Sequence, residues 1–199
     1  MKKDLSHHYD AEYADWSEEP YGNPGSAIII EGRKSFREEV TTALDRLKST
    51  PTGAGLLSMI TQYNLGNSVR IRFSRSSGQC HYVGSGIIPG FVVEESDVRK
   101  ALQAGRGTSS VVLTDGDGRE FFLQRGTKDP RALARLLAHE LLHALHAMWS
   151  QVSPRRFENP DLAPTHEEAR TVGLGPYADE WLTENRIRLE LGLPPRTKY

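Results

Sequence analysis

Cysteine is almost missing from this chain: Cys80 is the only one in 199 residues. A single thiol cannot build an internal disulfide framework and fits folding in a reducing compartment. It also excludes a cysteine-rich zinc knuckle, so any metal must be held by histidine and carboxylate. Long hydrophobic runs are missing too. No stretch of about 18 apolar residues occurs, so no membrane span is expected. Nor is there an excess of charge of either sign, because the formal charge is -1 and the pI about 6.7. That balance gives no pull toward nucleic acid, and the scattered Lys and Arg are not interleaved with aromatics as a strand-binding groove requires. The start, Met1-Lys2-Lys3, runs on into polar and acidic residues, so no Sec-type signal peptide is expected.

What is present is the composition of a globular protein, 37% hydrophobic and 26% charged, with length enough for one domain and a real core. Residues 1–25 read as a flexible N-terminal tail, acidic and broken by Pro20, Gly22, Pro24 and Gly25, with residues 26–199 as the domain. His7-His8 reads as a solvated pair. A strand is expected over 27–31 and a helix over 34–48, where Phe36, Val40, Ala43, Leu44 and Leu47 recur at helical spacing. Pro51-Thr52-Gly53 marks a turn before a second helix over 56–62, and 69–73 alternates as a half-buried strand does. The Gly/Ser-rich stretch 74–107 reads as loops around short strands. Strands at 111–114 and 120–123 flank Asp115-Gly116-Asp117-Gly118, a hairpin signal rather than a calcium loop, whose later ligands are missing.

The chemistry lies on the next helix. Asp129-Pro130 is a strong start, and residues 131–148 contain neither Gly nor Pro. Leu133, Leu137, Leu141, Ala144 and Met148 form an apolar face. His139 and His143, four residues apart, stack one turn from each other on a different face, close enough to share one metal ion. Glu140 lies about 100° round from His139, within reach of a metal-bound water. A zinc site of this kind takes three protein ligands and keeps a fourth position for water, whose proton the carboxylate accepts. His146, a turn beyond His143, reads equally as a residue behind the site, a substrate-facing one or a partly exposed helix histidine.

A third ligand must come from downstream: His166, Glu167, Glu168, Asp179, Glu180 and Glu184 are the candidates. Thr165 with Glu168 also fits a capping box, and spacing does not choose between Glu167 and Glu168.

His139-Glu140-Leu141-Leu142-His143-Ala144-Leu145-His146 resembles the active-site helix of clostridial neurotoxin light chains, and Glu167-Glu168-Ala169-Arg170 their Glu-Glu-x-Arg segment. The end of the chain, from Thr183-Glu184-Asn185-Arg186 to Pro195-Arg196-Thr197-Lys198-Tyr199, is similar to that of the NleD-like type III effector metallopeptidases. Thr50-Pro51-Thr52-Gly53 with Leu56-Leu57 also looks like that family. Three separated segments agreeing in order are far more specific than a five-residue motif.

The resemblance implies an α+β zincin-like domain with a small mixed or antiparallel sheet on the active-site helix. It implies one zinc ion held by His139, His143 and Glu168, with Glu140 as general base. Glu167 would stand behind the ligands. Glu184 would hydrogen-bond a ligating histidine, here His143, and Arg196 and Tyr199 would stabilise the oxyanion. The implied partner is a host protein in the host cytosol, with the activation loop of a stress-activated MAP kinase as the family's example. The chain would be secreted by a bacterium, with a secretion chaperone as a further implied partner. A shorter gap between His143 and Glu168 than in the neurotoxins keeps their substrate selection from transferring. The competing expectation is a catalytically inactive, metal-stabilised module that sequesters a host protein.

Overall fold

A computed structural model describes residues 16–63, 68–74, 81–83, 109–114, 130–149 and 155–199. Strand β1 (Trp16–Pro20) pairs antiparallel with β2 (Ile28–Arg33), and β2 lies parallel to β3 (Val69–Ser74). β3 is parallel to β5 (Ser109–Thr114), and β4 (His81–Val83) closes the edge antiparallel to β5. The sheet is therefore mixed, in the order β1-β2-β3-β5-β4. Ile28 and Ile30 on β2 and Val69 and Ile71 on β3 alternate into the core, as the pleat of a half-buried strand dictates. The expected strands at 27–31, 69–73 and 111–114 correspond to β2, β3 and β5. The expected hairpin turn and the strand at 120–123 lie outside the described residues, as does nearly all of 74–107.

β1 corrects part of the expected tail. Residues 16–20 are a strand, although four of its five residues are exposed. It is held by its backbone ladder and by surface ion pairs, Glu18 with Arg70 and Glu19 with Arg37 at 3.2 Å, rather than by buried side chains. A strand of that kind leaves no hydrophobic alternation in the sequence. Pro20 is tolerated because it sits at the end of an edge strand.

Helix α1 (Lys34–Lys48) buries the expected stripe of Phe36, Val40, Ala43, Leu44 and Leu47. Helix α2 (Pro51–Tyr63) begins five residues earlier than expected, because Thr50-Pro51-Thr52-Gly53 is a helix start and not a free turn. Pro51 occupies the first helical position, and Thr50 Oγ1 accepts from the Gly53 N–H at 3.1 Å. Only glycine fits at position 53, where a Cβ would come within 2.2 Å of the Leu47 carbonyl.

Helix α3 (Pro130–Met148) is the centre of the molecule. It packs against α1, α2, β4 and β5, and against two short helices from the C-terminal part, α4 (His166–Val172) and α5 (Glu184–Glu190). Its burial reaches well beyond one face: Leu133, Ala134, Leu137, Ala138, Leu141, Leu142, Ala144, Leu145 and Ala147 are all buried. Each large aliphatic side chain there contributes about 1.5–3 kcal/mol of burial. The histidine stripe is thus fixed in a rigid, apolar surround.

Candidate metal centre

His139 and His143, one turn apart on α3, stand edge to face with ring centroids 4.7 Å apart. Each Nδ1 has its own carboxylate. His139 Nδ1 donates to Glu184 Oε2 at 2.9 Å, and His143 Nδ1 to Glu167 Oε1 at 2.7 Å. An imidazole that gives its Nδ1 proton to a carboxylate presents a lone pair at Nε2. The two Nε2 atoms face each other at 3.1 Å.

Helix α4 brings the third atom. Thr165 caps it, its Oγ1 accepting from the Glu168 N–H at 3.2 Å. The capping and ligand readings of this segment are compatible, because the cap uses the Glu168 backbone and leaves its side chain free to turn inward. Glu168 Oε2 lies 3.5 Å from His139 Nε2 and 3.4 Å from His143 Nε2. It is buried and lacks a hydrogen-bond partner. A buried carboxylate oxygen without a donor is costly unless a cation or proton meets it.

These three atoms form a triangle with sides of 3.1, 3.4 and 3.5 Å. Zinc–ligand bonds of about 2.0–2.2 Å in a tetrahedron separate the ligand atoms by about 3.3 Å. The donor set of two imidazoles and one carboxylate, together with the orphaned oxygen, therefore fits a divalent cation, and His139, His143 and Glu168 are the residues that could hold it.

Gly173 and Thr183 join the helices that supply the carboxylates. Gly173 ends α4 at φ 84, in the left-handed region. A Cβ there would stand 2.8 Å from Thr183 Oγ1, and that oxygen caps α5 by accepting from the Arg186 N–H at 3.3 Å. Directly after Thr183 comes Glu184, whose side chain is fully buried. It receives Arg188 at 3.0 Å, Arg196 at 3.4 Å and Arg135 at 3.7 Å besides His139. Burial opposes its ionisation, but His139 and the arginines outweigh burial and hold its pKa at about 2. Glu167 follows the same logic: burial raises, His143 and His146 prevail, and the value is about 2. Glu168 is likewise held below the ordinary 4.5, with burial again overcome by His139 and His143. Burial disfavours a charged His143, yet Glu167 and Glu168 raise its pKa well above 6.5.

The expected site residues meet here with three adjustments. Glu184 sits behind His139, not His143; His143 has Glu167 instead, since α5 approaches the N-terminal side of the histidine stripe and α4 the other. His146 is not a partly exposed histidine: it is 1% exposed and donates to Glu167 Oε1 at 2.9 Å. Of the other candidate ligands, His166 meets the Tyr177 hydroxyl at 2.8 Å and Glu180 pairs with Arg170 at 3.0 Å; neither they nor Asp179 join the cluster.

Glu140 is buried on the same helix. The Tyr199 ring stands 6.0 Å from His139, and the Arg196 guanidinium lies 5.0 Å over that ring. Partial burial, reinforced by Glu168 and Glu140, raises the Tyr199 pKa, so the phenol remains a donor. Asn185 fixes the segment by accepting from the Arg196 N–H at 2.7 Å and donating to its carbonyl at 2.9 Å. The Tyr199 N–H reaches the Leu162 carbonyl at 2.6 Å. Arg135, Arg188, Asn185 and Thr171 are participants the sequence did not reveal. Arg188, four residues after Glu184, and Thr171, four after Glu167, carry the spacing of same-helix pairs.

A family model described as Peptidase_M91, effector protein, matches residues 24–199. The chain belongs to this family. It is the NleD-like effector peptidase family that the C-terminal segment resembles, and the match spans the sheet strand β2, the histidine helix and both carboxylate helices. The chain is thus an effector-family peptidase of mixed α+β architecture. No curated protein and no solved structure matches it. Among the described residues, no helix is long and apolar enough to cross a membrane.

Proposed function

We propose that the protein is a zinc-dependent endopeptidase with a zincin-like fold, secreted by a bacterium to cut a protein of the host cytosol. The observation that carries this reading is the convergence of His139 Nε2, His143 Nε2 and Glu168 Oε2, with each Nδ1 taken by a carboxylate. His139, His143 and Glu168 would hold a zinc ion, which when bound would supply Lewis-acid chemistry and lower the pKa of a water to about 7. Glu140 takes the proton of the attacking water and returns it to the leaving amine. Glu184 and Glu167 fix the tautomer of the two ligating imidazoles. Arg196 and Tyr199 donate to the oxyanion that develops on the scissile carbonyl. Among the described residues β4 is an edge strand beside α3, a position that suits an extended peptide laid along the sheet.

Glu140→Ala should keep the fold and bound zinc while losing about 10²–10⁴-fold in cleavage rate. Comparing the new N-termini in host cells expressing wild type and this variant tests activity and substrate together, including the MAP kinase activation loop implied by the family. Equal cleavage by both proteins would remove Glu140 from the mechanism. Stoichiometric capture of an uncut host protein would favour the binding-module alternative.

A further inference from the structure

We propose that His146 is a positioning residue of the metal centre, holding the Glu167 carboxylate in the orientation that keeps His143 Nε2 turned toward His139 and Glu168. The inference rests on the zinc reading above and deepens it.

His139, His143 and His146 fall at positions i, i+4 and i+7 of α3, so all three lie on one stripe. Two of them converge on the ligand triangle. The third is buried behind it, with its ring 6.4 Å from that of Trp149. His146 Nδ1 lies 2.9 Å from Glu167 Oε1, the same oxygen that takes His143 Nδ1 at 2.7 Å. The Thr171 hydroxyl donates to this oxygen too, at 3.2 Å. Three donors therefore converge on one carboxylate oxygen, while Glu167 Oε2 is buried without a partner.

That asymmetry is informative. A buried carboxylate with a single donor could rotate and offer either oxygen to it. Donors gathered on Oε1 remove the choice, because rotation would break all of them at once. Of the two donors besides His143 itself, only His146 approaches from α3, the helix that carries both histidines of the triangle. It ties the supporting carboxylate to the frame of the metal site, where Thr171 ties it only within α4. A carboxylate behind a metal-bound imidazole sets that ring's direction and basicity, so what fixes the carboxylate acts on the metal.

The test measures zinc affinity of the metal-free protein by competition with a chromogenic chelator, beside its thermal unfolding. His146→Leu should weaken zinc binding about 10-fold, the range usual for outer partners of a metal ligand. His146→Asn, which can place an amide donor near the position of Nδ1, should recover most of that loss. His146→Gln, whose donor reaches toward the Nε2 position instead, should not. In a Glu167→Ala background, His146→Leu should cost less than about 2-fold more, because the residue it acts through is gone. Wild-type affinity in His146→Leu, with only its unfolding temperature lowered, would mean packing alone and overturn the proposal. An equal loss in both backgrounds, or equal affinities for Asn and Gln, would overturn it as well. If His146→Leu does not fold, the contrast between Asn and Gln decides. Wild-type protein that binds no zinc would sink the zinc reading and this inference together, whereas a loss confined to the variants leaves that reading standing.

Discussion

Glu184 shows how one buried side chain can carry several duties. It orients His139 and meets Arg135, Arg188 and Arg196 with no exposure of its own. Removing its charge leaves the guanidiniums partly buried without their counter-ion, so Glu184→Gln should cost about 3–5 kcal/mol of stability. It should also weaken zinc binding about 10–100-fold. Glu184 is held at about 2 against an ordinary 4.5. A depressed carboxyl pKa gives stability that is complete above the unfolded value and lost as pH falls through the folded one. Denaturant midpoints of the chelated protein should therefore fall between about pH 4.5 and 2, with a shallower fall in Glu184→Gln. An identical pH profile would deny Glu184 this part. The sequence located Glu184 through family likeness but assigned it to the wrong imidazole, because helical spacing on α3 does not say from which side a separate helix arrives. His146 was ambiguous for the same reason.

At the scale of elements, α3 was legible because nothing interrupts it and its pattern is helical throughout, and α1 was legible from its apolar stripe. β1 was not, since exposed charged residues and a backbone ladder leave no periodic trace. The Thr165–Glu168 segment gave a genuine ambiguity: one residue caps with its backbone and faces the metal site with its side chain. The close approach of α4 and α5 also had no sequence signature beyond Gly173. Gly173→Ala should lower stability by about 1–2 kcal/mol from left-handed backbone strain alone, and more where Thr183 cannot yield. It should also loosen zinc, because Glu167, Glu168 and Glu184 hang from the two helices joined there. Chemical denaturation with a parallel zinc titration checks both effects; an unchanged midpoint would show that the junction relaxes freely.

For the whole molecule, the three candidate ligands come from two helices, so a metal held there would link the histidine helix to the C-terminal part. Binding to the folded state alone stabilises it by about 2.7 kcal/mol at 100 times Kd. Treatment with a chelator should lower the unfolding temperature, and added zinc should restore it. A melting curve indifferent to chelation would place the cluster outside the stability of the fold. The opposite tie runs through Glu190 at the end of α5, which accepts from the Thr52 N–H at 2.9 Å and its hydroxyl at 2.6 Å. That contact gives the Thr50-Pro51-Thr52-Gly53 segment a place in the architecture: it anchors the C-terminal helix to α2.

Around the two imidazoles stand four carboxylates, Glu140, Glu167, Glu168 and Glu184, against three guanidiniums, Arg135, Arg188 and Arg196. With the imidazoles neutral, one unit of negative valence is left over. A dication reverses that sign and leaves one positive unit. The same cavity would therefore attract a divalent cation and, once loaded, would favour whichever reacting species gathers electrons on its carbonyl oxygen.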